Sequence, residues 1–246
     1  TVTLSGANTY TGATTINAWT LALGGAAPSG SAGTLGNTTS AVLLGDTTGS
    51  ADAALVVNGA YTVGRDITVQ TGSSGTATLG GSNTSGTSTF SGGVTMNKAL
   101  TVTAASGGTS LMSGVLNDGG GSFALTKAGA GTVKLSGTNT YDGGTTIGAG
   151  TLQITADASL GNVPGATSAA NITLSGGTLE ADATGVALAA NRGVTLTANG
   201  TLSATTGNDM TVAGVVTGGF NLAKAGAGTV TLSGANTYTG ATTINA

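Results

Sequence analysis

Thr1 to Ala18 reads TVTLSGANTYTGATTINA, and the same eighteen residues return at Thr229 to Ala246. A match of that length is a duplication, and an internal repeat constrains architecture before any local propensity does. A third copy, TVKLSGTNTYDGGTTIGA, runs from Thr132 to Ala149. It departs from the other two at Lys134, Thr138, Asp142, Gly144 and Gly148, which all share one parity. The opposite parity, with Val133, Leu135, Asn139, Tyr141 and Ile147, is unchanged. Side chains alternate between the faces of a strand, so this pattern predicts one face in water and one against a packed interior.

The motif extends on both sides. FALTKAGAGTV and FNLAKAGAGTV precede the second and third copies, and AWTLAL and AGTLQI follow the first two. Between copies the texture persists in ALVVNG at Ala54, GVTMNKALTVTA at Gly93 and GVTLTANGTLSA at Gly193. Apolar residues alternate with Thr over four to six positions until Gly or Asn breaks the run, which predicts many very short strands. No helical stripe of useful length stands out. The repeats divide the chain into residues 1–131 and 132–228, with 229–246 opening a further period. No Pro-rich or charged linker separates them, so one continuous body over 1–246 is expected.

Composition narrows the fold. The chain has 46 Gly, 2 Pro, 6% charged and 3% aromatic residues. A sandwich of 246 residues would carry more bulky anchors, and a membrane barrel needs strands of about nine to eleven residues with aromatic girdles. A parallel β-helix needs neither, because its interior is a narrow stack of Val, Leu, Ile, Ala and Thr with Gly and Asn at the corners. At roughly 20 to 25 residues per coil and about 4.8 Å per coil, ten to twelve coils make a rod on the order of 50 to 60 Å long.

The same composition excludes much chemistry. The absence of Cys and His removes thiol nucleophiles, His-based triads, imidazole metal sites and disulfides. A net charge of −3 with six scattered basic residues offers no footprint for nucleic acid. No apolar run approaches the length of a transmembrane helix. Glu180 and Asp182 near Arg192 are the one acidic and basic grouping worth naming, and they read as solvated corners. NDGGGSF at Asn117 lacks the Asp of a calcium nonapeptide, and GAG at Gly129 and Gly226 lacks the rest of a phosphate loop. No enzyme activity, cofactor or metal is expected.

The unit G-A-G-T-V-x-L-S-G-x-N-T-Y-x-G-x-T-T-I-x-A-G-T-L resembles the autotransporter-associated β-strand repeat of bacterial passenger domains. The resemblance is complete over Lys127 to Ile154 and partial over Thr1 to Leu23 and Lys224 to Ala246. It implies a right-handed parallel β-helix at the cell surface or beyond, serving as stalk, scaffold or adhesin. The first residue already lies inside a motif, without initiator Met or signal peptide, so a piece of a longer exported protein is expected. Neither end reads as a cap. Because the chain closes on its own opening motif, the expectation is that it ends in the coil phase at which it began. Continuation or end-to-end stacking would then give an axial fibre. The expected partner is therefore a second copy, with surface glycans as the alternative.

Four aromatic residues are candidates for lateral contacts. Tyr10, Tyr141 and Tyr238 recur at one motif position, and Trp19 stands where the middle copy has Gly150. If that position needs a positive φ, Trp19 is strained. Lys127 and Lys224 share parity with inward residues. An unpaired buried ammonium is costly, so the strand is expected to end there with Nζ reaching corner carbonyls. T-x-T triplets at Thr1, Thr76, Thr101, Thr195 and Thr229 resemble the flat arrays of ice-binding solenoids. Those recur on every coil, and the irregular spacing here predicts no such lattice.

Overall fold

The computed structural model describes residues 1–245; Ala246 lies outside the described residues. Among them are 27 strands and one short 3-10 helix, Asp157–Leu160. The strands pair in parallel and stack coil on coil into a β-solenoid of about eleven turns. Ten strands form the first face, from Val2–Leu4 to Val216–Gly218. Nine form the second, from Thr62–Val63 to Thr242–Ile244. A third face carries five strands, from Thr15–Ile16 to Leu116–Asn117, and then three, from Val186–Leu188 to Thr229–Leu232. In full coils the chain visits the faces in that order, so each strand hydrogen-bonds to its counterpart one coil away rather than to its sequence neighbour.

The inward parity builds one core from Ile16 to Leu222. On the first face Leu21, Leu55, Leu79 and Val102 are in register; on the second, Val133, Leu152, Leu179 and Leu202 are. All of these are buried. Each such side chain contributes about 1.5–3 kcal/mol by leaving water. Because each coil touches only its neighbours, this energy accumulates along the axis.

The three copies of the motif do not share a coil phase. Their opening strands are Val2–Leu4 on the first face, Thr132–Leu135 on the second and Thr229–Leu232 on the third. Their T-T-I segments follow the same displacement: Thr15–Ile16, Thr145–Ile147 and Thr242–Ile244 lie on the third, first and second faces. The expected return to the starting phase is therefore corrected. Residues between copies complete whole coils plus one further face. The motif is a path around corners that fits any face.

The threonines are ordered by the register rather than by the sequence. Along the first face, Thr20, Ala54, Thr78, Thr101, Thr126, Thr146, Thr173, Thr195 and Thr217 are successive register partners. Eight of the nine rungs are Thr, and all are half-buried, pointing outward. The sequence intervals are irregular because corner loops differ in length, while the hydrogen-bond register does not. The flat T-x-T lattice is absent, as the irregular spacing predicts: the column two residues further on runs Ala22, Val56, Gly80, Thr103 and Ala128, so the threonines form one rank alone, interrupted at Ala54.

Candidate functional site

The charged groups do not converge on a reaction centre. Glu180 accepts hydrogen bonds from Gln153 Nε2 at 2.7 Å and Ser203 Oγ at 2.7 Å. Asp182 pairs with Lys134 Nζ at 2.5 Å and accepts from Thr205 Oγ1 at 3.2 Å. Arg192 is elsewhere, fully buried, its Nε 2.7 Å from Asp157 Oδ1. The three residues grouped by sequence thus serve three separate structural contacts. Among the described residues no three His, Cys, Asp or Glu side chains are placed to hold a metal ion.

Arg192 belongs to a device that sequence reading missed. The loop after the second copy carries Ser159-Leu160-Gly161-Asn162, and the loop after the first carries Thr34-Leu35-Gly36-Asn37. Gly36 and Gly161 have φ of 70° and 76°, and a Cβ at either would meet a Tyr carbonyl, of Tyr10 or Tyr141, at 2.2 Å. Glycine is required there both for the left-handed turn and for the close approach. Arg192 donates to Leu160 O at 3.0 Å, Gly161 O at 2.5 Å and Asn171 Oδ1 at 2.8 Å, tying the loop to the rod. Arg65 takes the same place in the first module, donating to Leu35 O at 2.8 Å and to Ser40 O. The residue matching Asp157 is Ala32, and Arg65 Nε is a buried donor without a partner. Burial pulls the Arg65 guanidinium below its ordinary value, against the opposing charges of Tyr10 and Asp66. The L-G-N tripeptide at two positions, each followed some thirty residues on by an Arg, was the available signal.

Lys127 corrects the expected strand end. Its strand, Leu125–Ala128, continues through it, and Lys127 sits in the inward register between Val102 and Ile147. The side chain is fully buried, and Nζ donates to Ala128 O, Gly129 O and Ala149 O at 2.9, 2.8 and 2.9 Å. The corner carbonyls are reached as expected, but from inside. Lys224 repeats the arrangement between Leu202 and Ile244, donating to Gly226 O.

Burial lowers the Lys127 pKa from 10.5 to about 8. Between these values the unfolded chain binds more protons than the folded one, so stability rises with pH across that window. Chemical denaturation at pH 7.5 and 10 is expected to show a gain of roughly 2 kcal/mol at the higher pH, because about 1.4 kcal/mol accompanies each unit and the three carbonyls offset part of it. The gain disappears in Lys127→Met.

The tyrosines are struts. Tyr10, Tyr141 and Tyr238 hydroxyls hydrogen-bond to Thr14, Thr145 and Thr242 Oγ1 at 2.8, 2.8 and 2.7 Å. Tyr141 is fully buried, and burial raises its phenol to about 12, so it cannot form the lateral contact expected of it. Tyr238 is partly buried against the core, and Tyr10 is 39% exposed. The asparagine two residues earlier locks the same corner: Asn139 Oδ1 accepts from Leu116 N at 2.9 Å, and Asn236 Oδ1 from Val216 N at 2.8 Å.

Trp19 is different. It is 81% exposed and is the sole non-glycine residue with positive φ, 67°, among the described residues. Gly150, its counterpart, has φ 61°. A left-handed conformation costs an L-residue about 1–2 kcal/mol. The indole borders a cleft of about 410 Å³ that also touches Asp52 and the first three rungs of the threonine rank, Thr20, Ala54 and Thr78.

The repeats now have both a sequence and a geometry: an N-T-Y corner with its Tyr–Thr strut, then a T-T-I strand. The profile of the passenger-associated-transport-repeat family matches residues 1–25, 125–154 and 222–246. The chain carries three passenger-associated-transport repeats. It is also similar to the Adhesin BmaC autotransporter of Brucella suis biovar 1 (strain 1330), at 37% identity over 139 residues, 56% of this chain. The chain spans 4% of that relative's length. No solved structure matches it. The passenger-associated-transport repeats occupy the corners and the strands beside them, and the coils between them complete the rod.

Proposed function

We propose that this chain is a segment of the extracellular rod of an exported bacterial surface protein, holding adhesive surface away from the cell. The observation that carries this reading is the uninterrupted parallel pairing of ten strands on the first face, from Val2–Leu4 to Val216–Gly218, with one register shift between Ser168 and Ile172, within a chain bearing passenger repeats. Such a rod gains length and surface in proportion to its coils. The similarity to an adhesin supports the adhesive part. Its test is display of the chain on a non-adherent bacterium through an unrelated outer-membrane anchor. Attachment to epithelial cells or to an abiotic surface is expected to increase over the anchor alone; equal attachment contradicts the reading.

A second element of the proposal is self-association. Val2–Leu4 and Thr242–Ile244 are edge strands, with Val2 63% and Ile244 79% exposed. An outermost strand of this kind accepts a further coil, from the same protein or from a second copy. Negative-stain micrographs of the purified chain are expected to show rods longer than one chain, and Val2→Lys is expected to shorten them. Dispersed single rods for the parent chain remove axial stacking from the proposal and leave adhesion standing.

A further inference from the structure

We propose that the first face binds a neutral polysaccharide, laid along the threonine rank and anchored by stacking on Trp19. This rests on the adhesive reading and names the ligand class and the residues.

Three observations converge on that face. Its nine rungs from Thr20 to Thr217 carry no charged side chain. Among the described residues, seven of its eight hydroxyls have no hydrogen-bond partner; the exception, Thr195, donates to Ala169 O at 2.7 Å. A hydroxyl offers one donor and two acceptor sites, so from Thr78 to Thr173 the rank presents an uncommitted donor and acceptor about every 4.8 Å. A polymer of hydroxylated rings answers such a row with a periodic row of its own.

The rank begins beside the exposed indole. The one rung without a hydroxyl, Ala54, leaves the cleft between Trp19, Thr20 and Thr78. An indole with an apolar face and a polar N–H suits the C–H face of a sugar ring, and a strained, exposed aromatic at one place on a rod points to function. Charge selects the class. Asp52 lies at the cleft; its Oδ1 accepts from Thr76 N at 2.6 Å and its second oxygen remains available to a sugar hydroxyl. An acidic polymer would meet that carboxylate unfavourably, and no cation on the rank offsets it. Trp19 also breaks the flatness that docking on a crystal face of ice would need.

The chain contains a single Trp, so its emission reports this site alone. The probes are the linear hexasaccharides of glucose, xylose and mannose, with a polygalacturonate fragment as the acidic control. At least one neutral hexasaccharide is expected to shift Trp19 emission saturably, with the acidic control much weaker. Binding measured by calorimetry is expected to fall about tenfold in Trp19→Gly, a replacement whose backbone Gly150 already adopts. It is expected to fall about threefold in each of Thr78→Val and Thr101→Val, which keep shape and strand propensity while deleting the hydroxyl. Circular dichroism melts confirm that the variants fold.

Silence from all three neutral probes overturns the proposal, as does binding that Thr78→Val, Thr101→Val and Trp19→Gly leave intact. Thermal hysteresis in ice, or side-by-side dimers abolished by Trp19→Gly, without saccharide binding, overturns it in favour of those occupants. Attachment of displaying cells that persists in the triple variant sinks this ligand assignment while leaving adhesion standing. Loss of attachment in the unaltered chain sinks adhesion itself.

Discussion

Arg192→Met is expected to lower the unfolding free energy by about 3–5 kcal/mol, the usual cost of removing one partner from a buried ion pair. Methionine fills most of the volume, so the loss is electrostatic. Asp157 loses its cation, and Leu160 O, Gly161 O and Asn171 Oδ1 lose their donor. Buried acceptors without donors cost about 1–3 kcal/mol each, less what water entering the loop returns. The matching change in the first module, Arg65→Met, is expected to cost less than half as much. Among the described residues Arg65 makes no ion pair, Asp66 acting on it only from beyond contact, and its Nε is already without a partner. Ala32→Asp restores the missing carboxylate and is expected to stabilise the chain by about 1–2 kcal/mol. Urea titrations of the three variants check this. Equal losses for the two arginines would show that the carboxylate contributes nothing.

Leu152→Asp is expected to have the largest effect of any single substitution, above about 5 kcal/mol locally. It deletes a fully buried side chain from the register between Val133 and Leu179 and puts an unpaired carboxylate in its place. The outcome should be regional. A solenoid is close to one-dimensional, so coils at a distance keep both neighbours. Hydrogen exchange is expected to accelerate strongly across Thr132–Ala181 while Ala53–Val57 and Ala77–Gly81 remain protected. Uniform acceleration along the chain would mean that the rod folds as one cooperative unit.

The strand pattern was legible because the copies vary on one parity alone. Val133, Leu135 and Ile147 do point inward, and Lys134 outward, as that parity requires. The same parity placed Tyr141 inside, and treating it as a lateral contact set that evidence aside. Trp19 was legible too: a residue aligned with Gly150 in a glycine-rich corner had to share its positive φ. Two features were hidden. The threonine rank is invisible in the spacing, since rungs such as Thr126 to Thr146 and Thr146 to Thr173 enclose loops of different length. Face assignment is hidden for the same reason: the three copies, two of them identical, stand on three different faces because the intervening coils do not sum to whole turns. Lys127 was misjudged because the cost of a buried ammonium was weighed without the three carbonyls that a glycine corner turns toward it.

The central claim is that consecutive coils stack in one register along a single axis, and a spin-label ruler tests it most directly. The chain has no Cys, so pairs of introduced cysteines label uniquely. With one nitroxide at Thr78 and the second at Thr146, Thr173, Thr195 or Thr217 in turn, the register makes these three, four, five and six rungs. Pulsed dipolar distances are expected to grow linearly by about 4.8 Å per rung, reaching about 29 Å for Thr78 and Thr217. Distances that plateau, fold back or follow sequence separation instead would contradict the solenoid and everything placed on its faces.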